Sequence, residues 1–415
     1  MQRRKAIIHI GTSKTGTTTI QHFLDKNRES LKNQGVYVPS IDSVPSINNN
    51  GHHKLCAATY IANEWESWTT LFSFLGHYYY MFHAKADLHC GENMGKSLTP
   101  RDQDNLWEQY RREIEANCHK EEVIVFSTEM FSLFTEKEIE KFKGVVNSLF
   151  DDVTVIVYLR RQPEYLASFY YSFAIAGSTW NIFDYLNMPD DRSILAYHQI
   201  VKRWSIFGKN KIKIRIFDKQ AFCKNDLLSD FAATAGFDIT GLKRVKNQNE
   251  TGMDSAETEF LRLLNSHIPV LLDPWTPNPE RGRLLKTFLT HCQKKGCEKK
   301  FSYHFNRSEA RRILEQYQEG NDWIAEEYLG CEKLFNEDVS MYPEEVASSH
   351  GLTLEKCTEI TACLCKEFNA ENHVHPQIVK GILLPRWFGL FLACFIPKKK
   401  NRQHFRAKYV KTKTK

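Results

Sequence analysis

The sequence predicts an α/β protein with a central, mostly parallel sheet and helices on both faces. Three observations lead there. Short apolar runs rich in β-branched residues recur at residues 6–10, 122–127, 153–159 and 211–217, each followed by a polar turn. Stretches with apolar residues at helical spacing separate them, and strands that alternate with helices mark a parallel sheet. The first run passes through a glycine loop straight into a helical pattern. The third ends in Arg160-Arg161, just ahead of Pro163, which suits a first helical turn.

The elements follow in order. Residues 17–32 carry Ile20, Phe23, Leu24 and Leu31 on one face of a helix, and Gly35 is a stop. Residues 40–50 are a loop rich in Ser, Pro, Asn and Asp, and a helical pattern covers 55–68. Trp65, Trp68, Phe72, Phe74 and Tyr78 to Tyr80 make an aromatic-rich insertion, read first as core and second as a sugar-stacking surface. Residues 106–118 read as a helix. Thr135 and Glu138 form a capping box that opens the helix at 136–150. Helices are expected at 191–205, 227–235, 255–266, 308–320 and 323–329, the second of these stopped by Gly236. Residues 243–251 are a polar loop, and no internal repeat interrupts the chain.

Two stretches carry chemistry. Gly11 to Thr18 sits where a strand hands over to a helix. Backbone N–H groups and the positive helix end converge there, and a lysine adds full charge, so the stretch reads as an anion site. Gly11 and Gly16 have the spacing of a Walker loop, which requires a lysine directly after its second glycine. Thr17 stands there instead, and the lysine lies inside the loop as Lys14. In the second stretch Arg160 closes a strand, and Ser168 follows on the next helix. A guanidinium and a hydroxyl so placed grip one phosphate together. Glu129 lies just past the strand at 122–127, and open α/β sheets bind ligands at the carboxyl ends of their strands.

The Lys14 loop and the Arg160-x7-Ser168 pair resemble the sulfotransferases that use PAPS (3′-phosphoadenosine-5′-phosphosulfate), in particular the carbohydrate type of bacteria. The likeness runs from about residue 5 to about residue 335 and is weaker after the second motif. Leu261-Arg262-Leu263-Leu264-Asn265, after an Asn-rich loop, is a further point of it. The resemblance implies a fold like that of the P-loop nucleotide kinases. It implies transfer of a sulfuryl group from PAPS to a hydroxyl or amine of a carbohydrate or glycolipid. Ser13, Lys14, Thr15, Gly16, Thr17 and Thr18 would hold the 5′-phosphate, with Lys14 also catalytic, and Arg160 and Ser168 the 3′-phosphate. Glu129 would be the general base. His53 would lie near the acceptor, as a second catalytic candidate. No metal is implied, because Lys14 and the helix end take the charge role that Mg²⁺ has in kinases. Two alternatives stay open: a P-loop phosphotransferase or kinase, and a non-catalytic, membrane-associated nucleotide-binding protein.

At 415 residues the chain has room for one large domain or two ordinary ones. The expected division is a sulfotransferase domain at 1–335, a helical extension at 336–380 and an apolar-basic tail at 381–415. The last eighteen residues hold nine Lys or Arg and no acid, which turns the formal +6 of the chain into −3 for the remainder. No broad basic face with interleaved aromatics speaks for nucleic acid as a partner. A secretory signal and an apolar run of ~18 residues are both missing, so the expected location is cytoplasmic. Eleven cysteines form no regular framework and are expected reduced. Cys357, Cys363, Cys365, His373 and His375 cluster, with a spacing that fits no common zinc pattern. Residues 381–396 are strongly apolar, carry Trp387, Phe388, Phe391 and Phe395, and run into Lys398-Lys399-Lys400. They read as a segment lying on an anionic membrane surface. The plainer reading is a last helix packed on the body.

Overall fold

Five strands, β1 (Lys5–His9), β2 (Val36–Tyr37), β3 (Val123–Ser127), β4 (Asp152–Leu159) and β5 (Ile212–Ile216), form one sheet in the order β2-β3-β1-β4-β5. All four pairings are parallel. The protein is therefore α/β, seen here in a computed structural model that describes residues 4–40, 52–59, 100–118, 122–188, 193–245, 253–273, 276–294, 304–346 and 348–371. β1 is the middle strand: its Ile7 is in register with Val125 on one side and Thr154 on the other.

A strand covered on both faces reads as a continuous apolar run. Ala6, Ile8, Val155 and Val157 enter a core with Phe126, Phe131, Phe142 and Trp204. Ile7, Val125, Ile156 and Tyr158 enter a second core with Ile20, Phe23, Leu24 and Phe231. The helix Glu136–Leu149 opens with the Thr135/Glu138 capping box, and Gly236 ends the helix Leu227–Ala235 in a left-handed conformation.

Some helices differ from expectation; the one at 106–118, for instance, already begins at Pro100. The one at 17–32 is broken into α1 (Thr17–Lys26) and a second piece, Arg28–Lys32. Asn27 is the cause. Its side-chain amide donates to Phe23 O (2.8 Å) and Lys243 O (3.0 Å), while Lys243 N–H donates to Asn27 Oδ1 (2.7 Å). A distant loop thus captures the residue that would have continued the helix. The helix expected at 191–205 starts only at Tyr197. The Leu195 N–H donates to Ser193 Oγ (3.2 Å), a local turn that competes with helix. The two helices expected between 308 and 329 are Arg307–Gln316 and Gln318–Ile324, the latter running into a π-turn, Ala325–Leu329, that stops at Gly330.

The chain divides into two compact units. The first comprises residues 1–169, 185–249 and 309–339 and contains the whole five-stranded sheet. The second comprises residues 170–184, 250–308 and 340–415. Its described core packs Phe260, Leu261 and Leu264 with Leu284, Phe288, Ile360 and Leu364. Within it, Arg262 clasps Glu259 with two hydrogen bonds, and the buried Tyr170 hydroxyl donates to the same carboxylate (2.8 Å). Cys363 Sγ lies 3.0 Å from His291 Nδ1. Among the described residues no group of three or more His, Cys, Asp or Glu is placed to hold a metal. His373, His375 and the tail 381–415 lie outside the described residues. Among those described, no helix is long and apolar enough to cross a membrane.

Candidate functional site

The sheet delivers three candidate groups to the same end of neighbouring strands. Lys14 follows β1, Glu129 follows β3 and Arg160 follows β4. The loop between β1 and α1 is held from below: Thr12 N–H donates to Tyr158 O (3.1 Å), and Tyr158 N–H to Gly11 O (2.7 Å). Thr15 is fully buried, and its hydroxyl donates to Thr12 O (2.5 Å). Its role in the loop is thus internal bracing.

Two glycines are required where they stand. Gly16 is the N-cap of α1 at φ 78°, and a Cβ there would lie 2.3 Å from Leu227 Cδ2. At Gly11, φ 90°, a Cβ would sit 2.9 Å from Glu129 Cα and 3.0 Å from its Cβ. The bare backbone of Gly11 is therefore what lets Glu129 approach the loop. Lys14 itself has φ 61°, an uncommon conformation for a side-chain-bearing residue, and such strain gathers at ligand clamps.

The N-terminus of α1 is open. No side chain caps it, and no acid stands in its first turn, so its backbone N–H groups are left for an external acceptor. Thr17 is buried at the first helical position, while Thr18 and Ser13 are half-exposed.

Arg160 reaches over the loop, its Nη1 donating to Lys14 O (3.3 Å) and its guanidinium resting on the Phe217 ring at 5.7 Å. The buried Tyr197 hydroxyl donates to Arg160 O (2.6 Å), which fixes the arginine's backbone. Arg161, its neighbour, is committed elsewhere. It donates to Asn336 O and Asp338 O and pairs with Glu164. Ser168 is half-buried on the helix Gln162–Ala176, one turn beyond Tyr165, whose hydroxyl lies beside Ser13 and Thr12. Positions three apart share a helix face, so Ser168 lies on the face that carries Tyr165.

His53 opens the helix His53–Thr59, and its side chain lies outside the described residues. The preceding His52 is fully tied into the fold: Ser127 N–H donates to its Nδ1 (2.9 Å), and its Nε2–H faces Pro39 O (3.1 Å). Burial first, then the Arg28 charge, push His52 down to about 3, so it stays neutral. Its bonds fix this segment beside Ser127, two residues before Glu129.

Charge sets the chemistry. Burial of Lys14, then the nearby Arg160 guanidinium, lower the lysine's pKa, and Glu129 partly offsets this. Lys14 has no ion-pair partner among the described residues. The Lys14 ammonium, with the open helix end beside it and the Arg160 guanidinium near it, is a setting that suits an anion. This gives a pH dependence. A bound phosphate favours the ammonium form, so affinity is full below the lowered pKa of the free protein. It falls as pH rises through that pKa, and binding takes up a proton in this window. Calorimetry of inorganic phosphate binding at alkaline pH, in two buffers of different ionisation enthalpy, will show the uptake. Lys14→Met will abolish it. Equal heats in both buffers for the wild type would contradict the assignment.

Sequence reasoning missed Gln21, Tyr165, Tyr197 and Phe217, all of which touch the site. Gln21 had a signal: it is a polar residue on the buried face of α1, beside Ile20 and Leu24, and is only 4% exposed. A cavity of about 860 Å³ along the outer edge of β5 includes none of the predicted site residues. A small one of about 10 Å³, next to Thr12, Ser132 and Tyr165, has room for roughly one water.

No family model matches the chain. It is 23% identical over 234 residues to an uncharacterised protein of Archaeoglobus fulgidus. That match covers 54% of this chain and 59% of the relative, so the chain spans less than two thirds of that protein's length. No solved structure matches it.

Proposed function

We propose that the protein is a sulfotransferase that moves a sulfuryl group from PAPS to a hydroxyl or amine of a carbohydrate or glycolipid. The observation that carries this reading is the meeting of two cations, Lys14 and Arg160, with one carboxylate, Glu129, at an uncapped helix start. In the reaction, the bond from sulfur to the acceptor oxygen or nitrogen forms as the bond from sulfur to the 5′-phosphate oxygen breaks. The acceptor's proton passes to Glu129, and PAP (3′,5′-adenosine diphosphate) leaves. Lys14 stabilises the charge that develops on the departing oxygen. The α1 N–H groups, with the Thr17 and Thr18 hydroxyls, hold the 5′-phosphate, and Arg160 with Ser168 the 3′-phosphate. Phe217, under the Arg160 guanidinium, holds that group flat. The site supplies its positive charge from these groups, and the reading assigns it no metal.

The fold likeness to P-loop kinases belongs to this proposal, as does the acceptor class. The test is a transfer assay with labelled PAPS against fractionated glycans and glycolipids. Label must enter an acceptor without added Mg²⁺. Transfer of phosphate from ATP, dependent on Mg²⁺, would move the protein to the phosphotransferases. Tight PAP binding without any transfer would leave a nucleotide-binding protein.

A cytoplasmic, membrane-peripheral location is part of the same proposal. It rests on the sequence of residues 381–415, where each basic residue near an anionic surface adds about 1 kcal/mol. The full chain is expected to sediment with anionic vesicles at low salt and to stay in solution with zwitterionic ones. A chain ending at Val379 should stay in solution with both. If the full chain ignores anionic vesicles too, the segment is part of the folded body.

A further inference from the structure

We infer that Gln21 is a positioning residue that fixes the Glu129 carboxylate for proton abstraction; the inference rests on the sulfuryl-transfer reading above. Gln21 lies on the face of α1 that is buried with Ile20, Phe23 and Leu24. A primary amide in that setting is costly unless it is bonded. Its Nε2 donates to Glu129 Oε2 at 2.9 Å.

Glu129 is held at every level up to that oxygen. The Thr128 N–H just before it donates to His9 O (3.0 Å), which ties the end of β3 to β1. The Ser132 hydroxyl donates to Glu129 O (2.7 Å). Its Cα and Cβ fill the space that a side chain on Gly11 would need. Gln21 then takes Oε2 and leaves Oε1, which accepts no hydrogen bond among the described residues.

The choice of an amide has a chemical reason. An arginine or lysine in this place would orient the carboxylate but also neutralise it and weaken it as a base. A neutral donor orients it and leaves its charge for the acceptor's proton. α1 thereby does two jobs four residues apart: Thr17 heads the phosphate end, and Gln21 sets the base. Donor binding and base geometry ride on one rigid helix.

A double-mutant cycle in the full chain tests this, with labelled PAPS and the glycan pool as substrates. Loss of a partner that orients a metal ligand costs about 10–100-fold, and an effect of that order is expected for a carboxylate base. Gln21→Ala should lower kcat by that factor and leave the calorimetric affinity for PAP within about twofold. In a Glu129→Gln background the same substitution should have no further effect, because its action runs only through Glu129. An equal loss in both backgrounds, or a parallel loss of PAP affinity, would make Gln21 a packing residue and overturn the inference. Crystals of the PAP complex decide the matter independently of turnover. The Glu129 carboxylate should swing from its wild-type place in Gln21→Ala, and an unmoved carboxylate overturns the positioning role. A wild-type protein that transfers nothing from PAPS would sink the functional reading alone, and the crystallographic arm would still decide what Gln21 does.

Discussion

PAP will bind the full chain about 30–1,000-fold more tightly than AMP. The two differ by one phosphate, and the structure offers that group a guanidinium whose position is set from three sides. Arg160 closes β4, its carbonyl accepts the Tyr197 hydroxyl, and its charged plane lies on Phe217. A charged hydrogen bond is worth about 1.5–3 kcal/mol, and a hydroxyl adds a share, so roughly 2–4 kcal/mol separates the ligands. Arg160→Ala should remove most of the difference by weakening PAP and sparing AMP. Ser168→Ala should remove a smaller part. Titration calorimetry with both nucleotides measures this directly. Equal affinities in the wild type would dismiss the 3′-phosphate site.

Lys14→Ala will lower turnover by ~10²–10³-fold, the usual effect of removing one group that stabilises developing charge. The same change should weaken PAP binding only modestly. The reason lies in the lysine's surroundings, where burial and Arg160 already work against its charge. Its ammonium is best matched to the state in which the departing oxygen carries most negative charge, so the loss falls on kcat more than on affinity. Glu129→Gln should cost ~10²–10⁴-fold in turnover with PAP affinity nearly intact, as for a general base. If Glu129→Gln retains full activity while His53→Ala loses it, the base is His53. Steady-state kinetics paired with calorimetry on the same variants separates these outcomes.

The sheet was legible in the sequence because its strands are buried on both faces, and burial writes a plain apolar run. The gathering of Lys14, Glu129 and Arg160 followed from the same logic: each stands just past a strand, and parallel strands put those ends together. What escaped depends on contacts far apart in the chain. The break at Asn27 needs Lys243, 216 residues away. Gln21 looks like one more residue of an amphipathic helix until Glu129 is brought beside it from 108 residues further on. Tyr165 and Tyr197 lie in aromatic-rich stretches, where nothing in the residue type tells a site wall from core. The two readings on the acceptor side, the His53 side chain and the aromatic-rich insertion from Trp65 to Tyr80, lie outside the described residues.

The central place of β1 has a consequence during synthesis. Its two partners, β3 and β4, begin only at Val123 and Asp152. At about 5–20 residues per second, the ribosome needs roughly 6–30 s after making β1 to supply them. Through that interval Ala6-Ile7-Ile8-His9-Ile10 has both edges unpaired, and short apolar segments of this kind readily join those of other chains. The loop that follows offers little help, since its contacts with Tyr158, Arg160 and Leu227 come from residues made still later. A holding chaperone supplied during synthesis is therefore expected to raise the yield of folded chain. The yield on overexpression should depend more on translation rate and temperature than on the stability of the finished fold.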